Sequence, residues 1–155
     1  TMNQEVIHQI VNIMIDLENI TILIRAAKQK QSRSFLIGVL SREGTVDKTL
    51  LIDEVLEKGT EALIDLYRHV PYYDKIVAIL EQEEHPVFAL ELLKEELIYH
   101  ILEEATFEPF GPLPSLAYIH ALEMEVKNLR LLLVGVDNEF TEEQLRERMR
   151  PVYVS

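Results

Sequence analysis

Residues 16–24 read Asp-Leu-Glu-Asn-Ile-Thr-Ile-Leu-Ile and form the centre of a long series of apolar residues with helical spacing. Successive apolar positions in this series are three or four residues apart, which places them on one face of an α-helix. The series consists of Val6, Ile10, Ile13, Leu17, Ile20 and Ile24. The spacing therefore predicts one long helix near the start of the chain.

A similar stretch occurs later in the chain. When the sequence is shifted by 109 residues without gaps, residues 1–46 align with residues 110–155. Residues 16–24 then align with residues 125–133, which read Glu-Val-Lys-Asn-Leu-Arg-Leu-Leu-Leu. The apolar matches are weak evidence by themselves, because any two amphipathic helices can be aligned in this way.

The informative part of the match is an acidic residue followed three positions later by asparagine. Asp16 and Asn19 form this pattern in the first stretch, and Glu125 and Asn128 form it in the second. Asparagine is a mediocre helix former, so an asparagine inside a helix usually has a hydrogen-bonding role. We interpret these four residues as structural repeat positions. The asparagines either satisfy main-chain groups where a neighbouring helix turns or line a cavity that the repeats share.

A repeat of this length indicates supersecondary units that stack into an array. We expect residues 1–109 to be one helical repeat that the chain enters part-way, as a fragment of a longer protein. Residues 110–155 are then the start of the next repeat and the C-terminal end of that protein. We expect tandem helical repeats of this kind to form part of a helical array.

Capping residues predict where the next helices begin and end. Ser32 is expected to cap a second helix that extends through Leu40, and a turn is expected at residues 42–44. Asp47 is expected to cap a third helix. A glycine then ends that helix, and Thr60, which follows the glycine, is expected to cap a fourth helix.

The rest of the chain is also predicted to be helical. The expected helices are 72–84, 87–105, about 115–136 and 141–150, with an extended connector at 107–114. Residues 35–40 are the one apolar run whose spacing does not distinguish a helix from a strand. Because no segment predicts a strand convincingly, the expected fold class is all-α.

The chain is strongly acidic. Its 155 residues include 15 basic and 27 acidic residues, which gives a formal net charge of −12. Nucleic acid and anionic membrane surfaces are therefore poor partners. Nine glutamates lie between residues 81 and 108, where Lys94 is the single basic residue. This segment is either a solvated helix face or a surface that selects a partner by charge. No apolar run approaches the ~20 residues that a membrane helix needs.

No motif for catalysis, cofactor binding or metal binding is recognisable, and we assign no residue to these roles. The chain has no cysteine. Glu5 and His8 form the single Glu-x-x-His pair, whereas a di-metal helical bundle needs two such pairs and further glutamates. No serine lies in a Gly-x-Ser-x-Gly turn, and the five glycines are too scattered to form a phosphate-binding loop.

Three features near the end of the chain resemble a known family. They are a Gly-Pro loop within residues 110–118, the pattern Glu-x-x-Asn-x-Arg at residues 125–130 and an Arg-rich segment at residues 142–153. Together they resemble the C-terminal end of the C subunit of the V/A-type ATPases, which corresponds to the d subunit of the eukaryotic vacuolar enzyme. Gly59-Thr60 and the helix after Pro86 are also similar to this family, so the resemblance covers essentially the whole chain.

The resemblance implies an all-helical protein in which three tandem helical repeats form a funnel. It implies a non-catalytic central-stalk protein, located in the cytoplasm and peripheral to the membrane, without direct membrane insertion and without a cofactor. The expected partners are the D and F subunits of the central shaft, held in the funnel, and the proteolipid subunits of the membrane rotor ring. Torque then passes between ring and ATPase head during ATP-driven transport of protons or sodium ions.

The funnel then acts as a socket for the shaft. Its charged wall is expected to hold the shaft by complementary charge and by packing. We name Glu123, Lys127 and Arg130 as candidate partner-interface residues. Arg130 is either a surface residue or one member of a buried pair with a glutamate of another helix. Two other functions stay open: a helical adaptor or small-molecule-sensing domain with an enclosed pocket, and a metal-dependent helical enzyme.

Overall fold

A computed structural model of the chain describes residues 2–105, with the side chains of residues 5–104. Within this range the chain forms six α-helices joined by turns and loops, and none of these residues lies in a β-strand. The helices are α1 (Met2–Gln29), α2 (Arg33–Val39), α3 (Lys48–Lys58), α4 (Ala62–Leu66), α5 (Tyr73–Gln82) and α6 (Pro86–Ala105). The predicted all-α fold class is confirmed for the described residues, and the arrangement of repeats as a funnel stays a prediction.

The described residues belong to two compact units. One unit comprises residues 11–94, and the other includes residues 2–10 and 95–105. The largest fully buried side chains of the first unit form its core: Leu17, Ile20, Leu23, Leu36, Leu51, Ile52, Leu63, Tyr67, Ile76 and Leu90. Glu95, Ile98, Tyr99 and Leu102 are buried in the second unit. The predicted repeat boundary between residues 109 and 110 lies outside the described residues and stays a prediction.

The predicted apolar face of α1 is confirmed where the helix belongs to the first unit. Ile13, Leu17, Ile20 and Ile24 follow one another at intervals of three or four residues and are all buried. These intervals bring side chains to the same side of an α-helix, so burial of one side of α1 follows directly from its sequence.

The predicted caps of α2 and α3 are confirmed. The Ser32 hydroxyl oxygen accepts a hydrogen bond from the N–H of Phe35 at 3.2 Å, and the Asp47 carboxylate accepts one from the N–H of Leu50 at 3.0 Å. Each bond satisfies a main-chain donor that the first turn of a helix leaves free. Gly59 ends α3 with a φ of 81°, in the left-handed region that glycine adopts without a steric penalty.

The apolar run that was ambiguous between helix and strand is helical. Leu36 and Leu40 are buried and lie one helical turn apart, whereas Phe35, Ile37 and Val39 are exposed. A strand would place Gly38 on the same buried face as Leu36 and Leu40, but Gly38 is exposed. The main-chain N–H of Leu40 donates to the carbonyl oxygen of Leu36 at 3.1 Å, which closes the last turn of α2.

The start of α4 differs from the prediction. The sequence predicts Thr60 as the cap, but Glu61 occupies the N-cap position and no side chain accepts a capping hydrogen bond there. The carbonyl oxygens of residues 59–61 instead accept hydrogen bonds from the N–H groups of residues 62–64, at 3.1–3.2 Å. Because these turns already satisfy the free donors of α4, a side-chain cap is unnecessary.

The last two described helices agree with their predicted ranges to within two residues at each end. Pro86 is the first residue of α6, a position where the missing N–H of proline has no helical partner to lose. In the part of the chain that the structure describes, no helix has both the length and the apolar character needed to cross a lipid bilayer.

Candidate functional site

Asp16 and Asn19 lie on one side of α1 and hold the loop that joins α2 to α3. Each side chain is only 1% exposed. The Asn19 Nδ2 donates to the carbonyl oxygen of Ser41 at 3.1 Å, and the N–H of Ser41 donates to Asn19 Oδ1 at 3.0 Å. Thr45 donates twice to Asp16, from its N–H to Oδ1 at 2.8 Å and from its hydroxyl to Oδ2 at 2.5 Å. We call Asp16, Asn19, Ser41 and Thr45 the loop clamp.

Gly44 allows the loop to approach α1 closely. A Cβ atom at Gly44 would lie 2.6 Å from Asp16 Oδ1, 3.3 Å from Ile15 Cγ2 and 3.4 Å from Asn19 Nδ2. Non-bonded carbon and oxygen atoms do not approach as closely as the first of these distances without strong repulsion. The absence of a side chain at Gly44 therefore follows from the presence of the Asp16 carboxylate.

His69 adds a further contact to the loop clamp. Its Nε2 lies 2.7 Å from the Thr45 hydroxyl oxygen, and its ring stacks on Tyr67 with the ring centroids 6.1 Å apart. Because the single hydroxyl proton of Thr45 is donated to Asp16, the His69 Nε2 must be the donor in this contact. An activated nucleophile needs the opposite order, in which the imidazole accepts the hydroxyl proton. The cluster can hold the loop in place, but its geometry does not prepare Thr45 for nucleophilic attack.

Two buried tyrosines lie close enough to Asp16 for its charge to affect them. Burial raises the pKa of Tyr67 above its ordinary value of 10, and the negative charge of Asp16 raises it further. Burial also raises the pKa of Tyr72, again with Asp16 as the second cause. Within the described residues, neither hydroxyl group has a hydrogen-bond partner. Both phenols are therefore held neutral beside the carboxylate.

Glu18 and Lys94 line two open surface pockets of the first unit. One has a volume of about 210 Å³ and also includes Arg25, and the other has a volume of about 270 Å³ and also includes Met14 and Val39. Both volumes are below the roughly 300–1,000 Å³ of most small-molecule sites. The described residues contain no group of three or more His, Asp or Glu side chains placed to hold a metal ion.

The structure brings two of the residues named from sequence into one cluster. Asp16 and Asn19 share the loop clamp, where the partners of Asn19 are main-chain groups. Their role as repeated positions stays a prediction, because the matching residues Glu125 and Asn128 lie outside the described residues. The candidate interface residues also lie outside them: Glu123, Lys127 and Arg130. Thr45 and His69 also belong to this cluster, although no sequence pattern pointed to them. The turn predicted at residues 42–44 was the available signal, but it did not indicate which helix the loop would contact.

Comparisons with known proteins identify the family of the chain. Residues 1–148 match the family described as ATP synthase (C/AC39) subunit. The C subunit of the V-type sodium ATPase of Enterococcus hirae is 38% identical over 140 residues, which cover 90% of this chain and 42% of that protein. The C subunit of the A-type ATP synthase of Methanosarcina acetivorans is 25% identical over 143 residues, which cover 90% of this chain and 38% of that protein.

The chain spans about two fifths of the length of these curated relatives. No solved structure gives a significant match. The family match nevertheless covers nearly the whole chain, and the family expected from the sequence resemblance is confirmed. The chain belongs to the ATP synthase (C/AC39) subunit family, which includes the C subunits of V-type and A-type ATPases.

Proposed function

We propose that this chain is part of a non-catalytic central-stalk subunit of a V/A-type ATPase or ATP synthase. In this role it contributes to a helical socket that couples the D–F rotor shaft to the membrane rotor ring during ATP-driven transport of protons or sodium ions. The observation that carries the proposal is the match of residues 1–148 to the ATP synthase (C/AC39) subunit family. The 38% identity to the C subunit of a V-type sodium ATPase supports the same role.

The loop clamp is consistent with a part that transmits torque. Such a part must keep its shape under load. Four hydrogen bonds join Ser41 and Thr45 of the loop to the buried side chains of Asp16 and Asn19, three donated by the loop residues and one by Asn19. Polar networks of this kind rigidify a fold when their members are satisfied. The clamp therefore supports a mechanical role, in which the residues are held in place and perform no chemistry.

The family resemblance also supplies the proposed location and partners. We infer a cytoplasmic protein, peripheral to the membrane, that contacts the D and F subunits on one side and the proteolipid subunits of the rotor ring on the other. Residues 1–109 and 110–155 then belong to consecutive helical repeats of the longer protein. Glu123, Lys127 and Arg130 remain the candidate contacts named from the sequence.

A helical adaptor or small-molecule-sensing domain is the alternative function. It would require an enclosed pocket of several hundred Å³ with convergent polar groups. The open pockets of about 210 and 270 Å³ beside Glu18 and Lys94 do not have this form. The family match, rather than the pockets, is what favours the socket over the adaptor.

Co-elution with the shaft tests the proposed function directly. The full-length parent protein and this 155-residue chain are each mixed with the purified D–F pair of the same organism and separated by size exclusion, at low and at moderate salt. We expect the parent to co-elute with the D–F pair, and the shorter chain to bind more weakly because it lacks part of the socket. Failure of the parent to bind would remove the main support for the proposal and favour the adaptor.

A further inference from the structure

Glu95 is a buried charged residue of α6 that takes no part in the loop clamp. Among the described residues, the buried carboxylates are those of Asp16 and Glu95, and Glu95 is only 2% exposed. The loop clamp supplies the partners of Asp16, and Glu95 makes a polar or electrostatic contact of its own. Because this burial is present in the single chain, other parts of the same chain cover Glu95.

A buried carboxylate needs a cation or several hydrogen-bond donors, since its removal from water is otherwise strongly unfavourable. The described part of the second unit, residues 2–10 and 95–105, contains neither lysine nor arginine. Its two histidines, His8 and His100, are exposed and are poorly placed to accompany a side chain that water barely reaches. The candidate cations are therefore the basic residues that follow α6 in the chain: Lys127, Arg130, Arg146, Arg148 and Arg150.

The helix expected at residues 115–136 is the next helix after α6. The described helix ends at Ala105, and the expected connector covers only residues 107–114. Consecutive helices with a short connection pack as antiparallel neighbours. With a rise of about 1.5 Å per residue, Glu95 lies about 15 Å before the end of α6, and Arg130 lies about 22 Å after the start of the next helix. The two residues are therefore at similar depths in such a helical hairpin, and the connector and the long arginine side chain can absorb the difference.

Arg130 belongs to the apolar side of that expected helix. The apolar positions follow one another at intervals of three or four residues: Ile119, Leu122, Val126, Leu129 and Leu133. With about 100° per residue, Arg130 lies about 60° around the helix from the centre of these positions, and Lys127 lies about 120° from it. Charged residues on the buried side of a helix are almost always paired. The spacing therefore favours Arg130 over Lys127 as the partner of a buried glutamate.

We propose that Glu95 forms a buried ion pair with Arg130, which joins α6 to the next helix of the chain. Arginine suits this role because its planar guanidinium group can donate two parallel hydrogen bonds to one carboxylate. In the expected repeat arrangement, α6 ends one repeat and the following helix begins the next, so the pair couples consecutive repeats. This assignment takes the buried alternative for Arg130 and leaves Glu123 and Lys127 as the candidate partner contacts.

Methionine substitutions test the pair, because methionine is flexible and fills a buried site without carrying charge. Arg130→Met would leave Glu95 buried without its cation, and Glu95→Met would leave Arg130 without its carboxylate. We expect each single variant to raise the equilibrium constant for unfolding about a hundredfold or more. The double variant should stay within about tenfold of the unsubstituted chain, since apolar residues often replace a buried ion pair without loss of stability. Urea unfolding of the 155-residue chain, followed by circular dichroism, measures all three variants.

Two control substitutions separate the pair from general effects of removing charge. Glu96→Met changes the residue next to Glu95, whose side chain is 47% exposed, and should change the unfolding constant by about threefold or less. Lys127→Met, on the same expected helix as Arg130, should have an equally small effect. In the combination of Lys127→Met with Glu95→Met, the separate effects should multiply, because residues that do not touch act independently.

The double variant distinguishes a pair from two independent residues. If the effects of Glu95→Met and Arg130→Met multiply in the double variant, the residues are not paired and the inference is wrong. If a single variant does not fold, recovery of the helical signal in the double variant supports the pair, and no recovery contradicts it. Coupling of Glu95 to Lys127 in place of Arg130 would also overturn the inference. Because no measurement involves the D–F pair, these outcomes are independent of the proposed function.

Discussion

Asn19 connects α1 to a residue 22 positions further along the chain. Its amide group both donates to and accepts from the main chain of Ser41, which few other side chains can do at this position. A shorter side chain would leave the partly buried N–H and carbonyl oxygen of Ser41 without these partners. At the residue scale, the stability of the α2–α3 loop therefore depends on a side-chain amide at this position.

Replacing Asn19 with alanine should destabilise the chain. We expect Asn19→Ala to lower the free energy of unfolding by about 1–3 kcal/mol, since buried main-chain groups lose their partners. Urea unfolding followed by circular dichroism measures the change. Asn12→Ala on the same helix is the matched control and should change stability by less than about 0.5 kcal/mol. Equal effects of the two variants would contradict the structural role of the clamp.

Gly44 and Gly38 should respond oppositely to alanine. Gly44→Ala places a methyl group 2.6 Å from Asp16 Oδ1, and we expect a loss of about 1–3 kcal/mol as the loop is displaced. Gly38→Ala adds a methyl group in open space within α2 and should stabilise the chain by up to about 1 kcal/mol. Melting temperatures of the two variants provide the comparison. A stable Gly44→Ala variant would show that the loop does not lie against Asp16.

The buried tyrosines predict a loss of stability at alkaline pH. The pKa of Tyr67 is raised above 10 in the folded chain, so the unfolded chain releases the phenolic proton first. The folded chain is therefore favoured by the neutral phenol of Tyr67 in full below pH 10. This stabilisation decreases above pH 10 and is lost as the pH rises through the raised pKa of the folded chain.

Tyr67→Phe tests this origin of the pH dependence. At neutral pH the variant should be as stable as the unsubstituted chain or slightly more stable, because the removed hydroxyl has no hydrogen-bond partner among the described residues. At about pH 11 the variant should lose less stability than the unsubstituted chain, as measured by urea unfolding at both pH values. An identical pH dependence for both proteins would exclude Tyr67 as a contributor.

At the element scale, helix ends in this chain are stabilised in two ways. Ser32 and Asp47 cap α2 and α3 with their side chains, whereas α4 begins from main-chain turns. Capping residues are recognisable from sequence, but the carbonyl groups that replace a cap depend on how the preceding residues turn. Thr60 was therefore a reasonable prediction that the structure shows to be wrong.

Alanine substitutions separate these two kinds of helix end. Asp47→Ala should cost about 0.5–2 kcal/mol of stability because the first turn of α3 loses its acceptor. Thr60→Ala should change stability by no more than about 0.5 kcal/mol, since no capping bond is lost. Thermal unfolding of both variants checks the difference, and a larger loss for Thr60→Ala would favour the capping role predicted from sequence.

At the scale of the whole molecule, the proposed repeat makes Asn128 the counterpart of Asn19. If residues 110–155 repeat residues 1–46, Asn128→Ala should cost about 1–3 kcal/mol, as Asn19→Ala does. Asn138→Ala is the control and should have little effect, because Asn138 aligns with Gln29 rather than with an asparagine. Urea unfolding of the chain measures all three variants. A neutral Asn128→Ala would contradict the equivalence of the two asparagines.

Much of the fold was predictable because helices depend on neighbouring residues. The apolar spacing of α1 and the caps at Ser32 and Asp47 involve contacts within a few positions, which a sequence displays directly. The family was also recognisable, from the pattern around residues 125–130 and the loop before it.

The clamp was only partly predictable because its partners lie far apart in the chain. The position of Asn19 inside a helix indicated a hydrogen-bonding role, but its bonds to Ser41 and the contact of Thr45 with Asp16 span 22 and 29 residues. Such pairs form only when the helices between them pack, and packing is set by the whole core rather than by local spacing. The helical character of residues 2–105 was thus encoded locally, whereas the partners of their buried polar groups were determined by the three-dimensional fold.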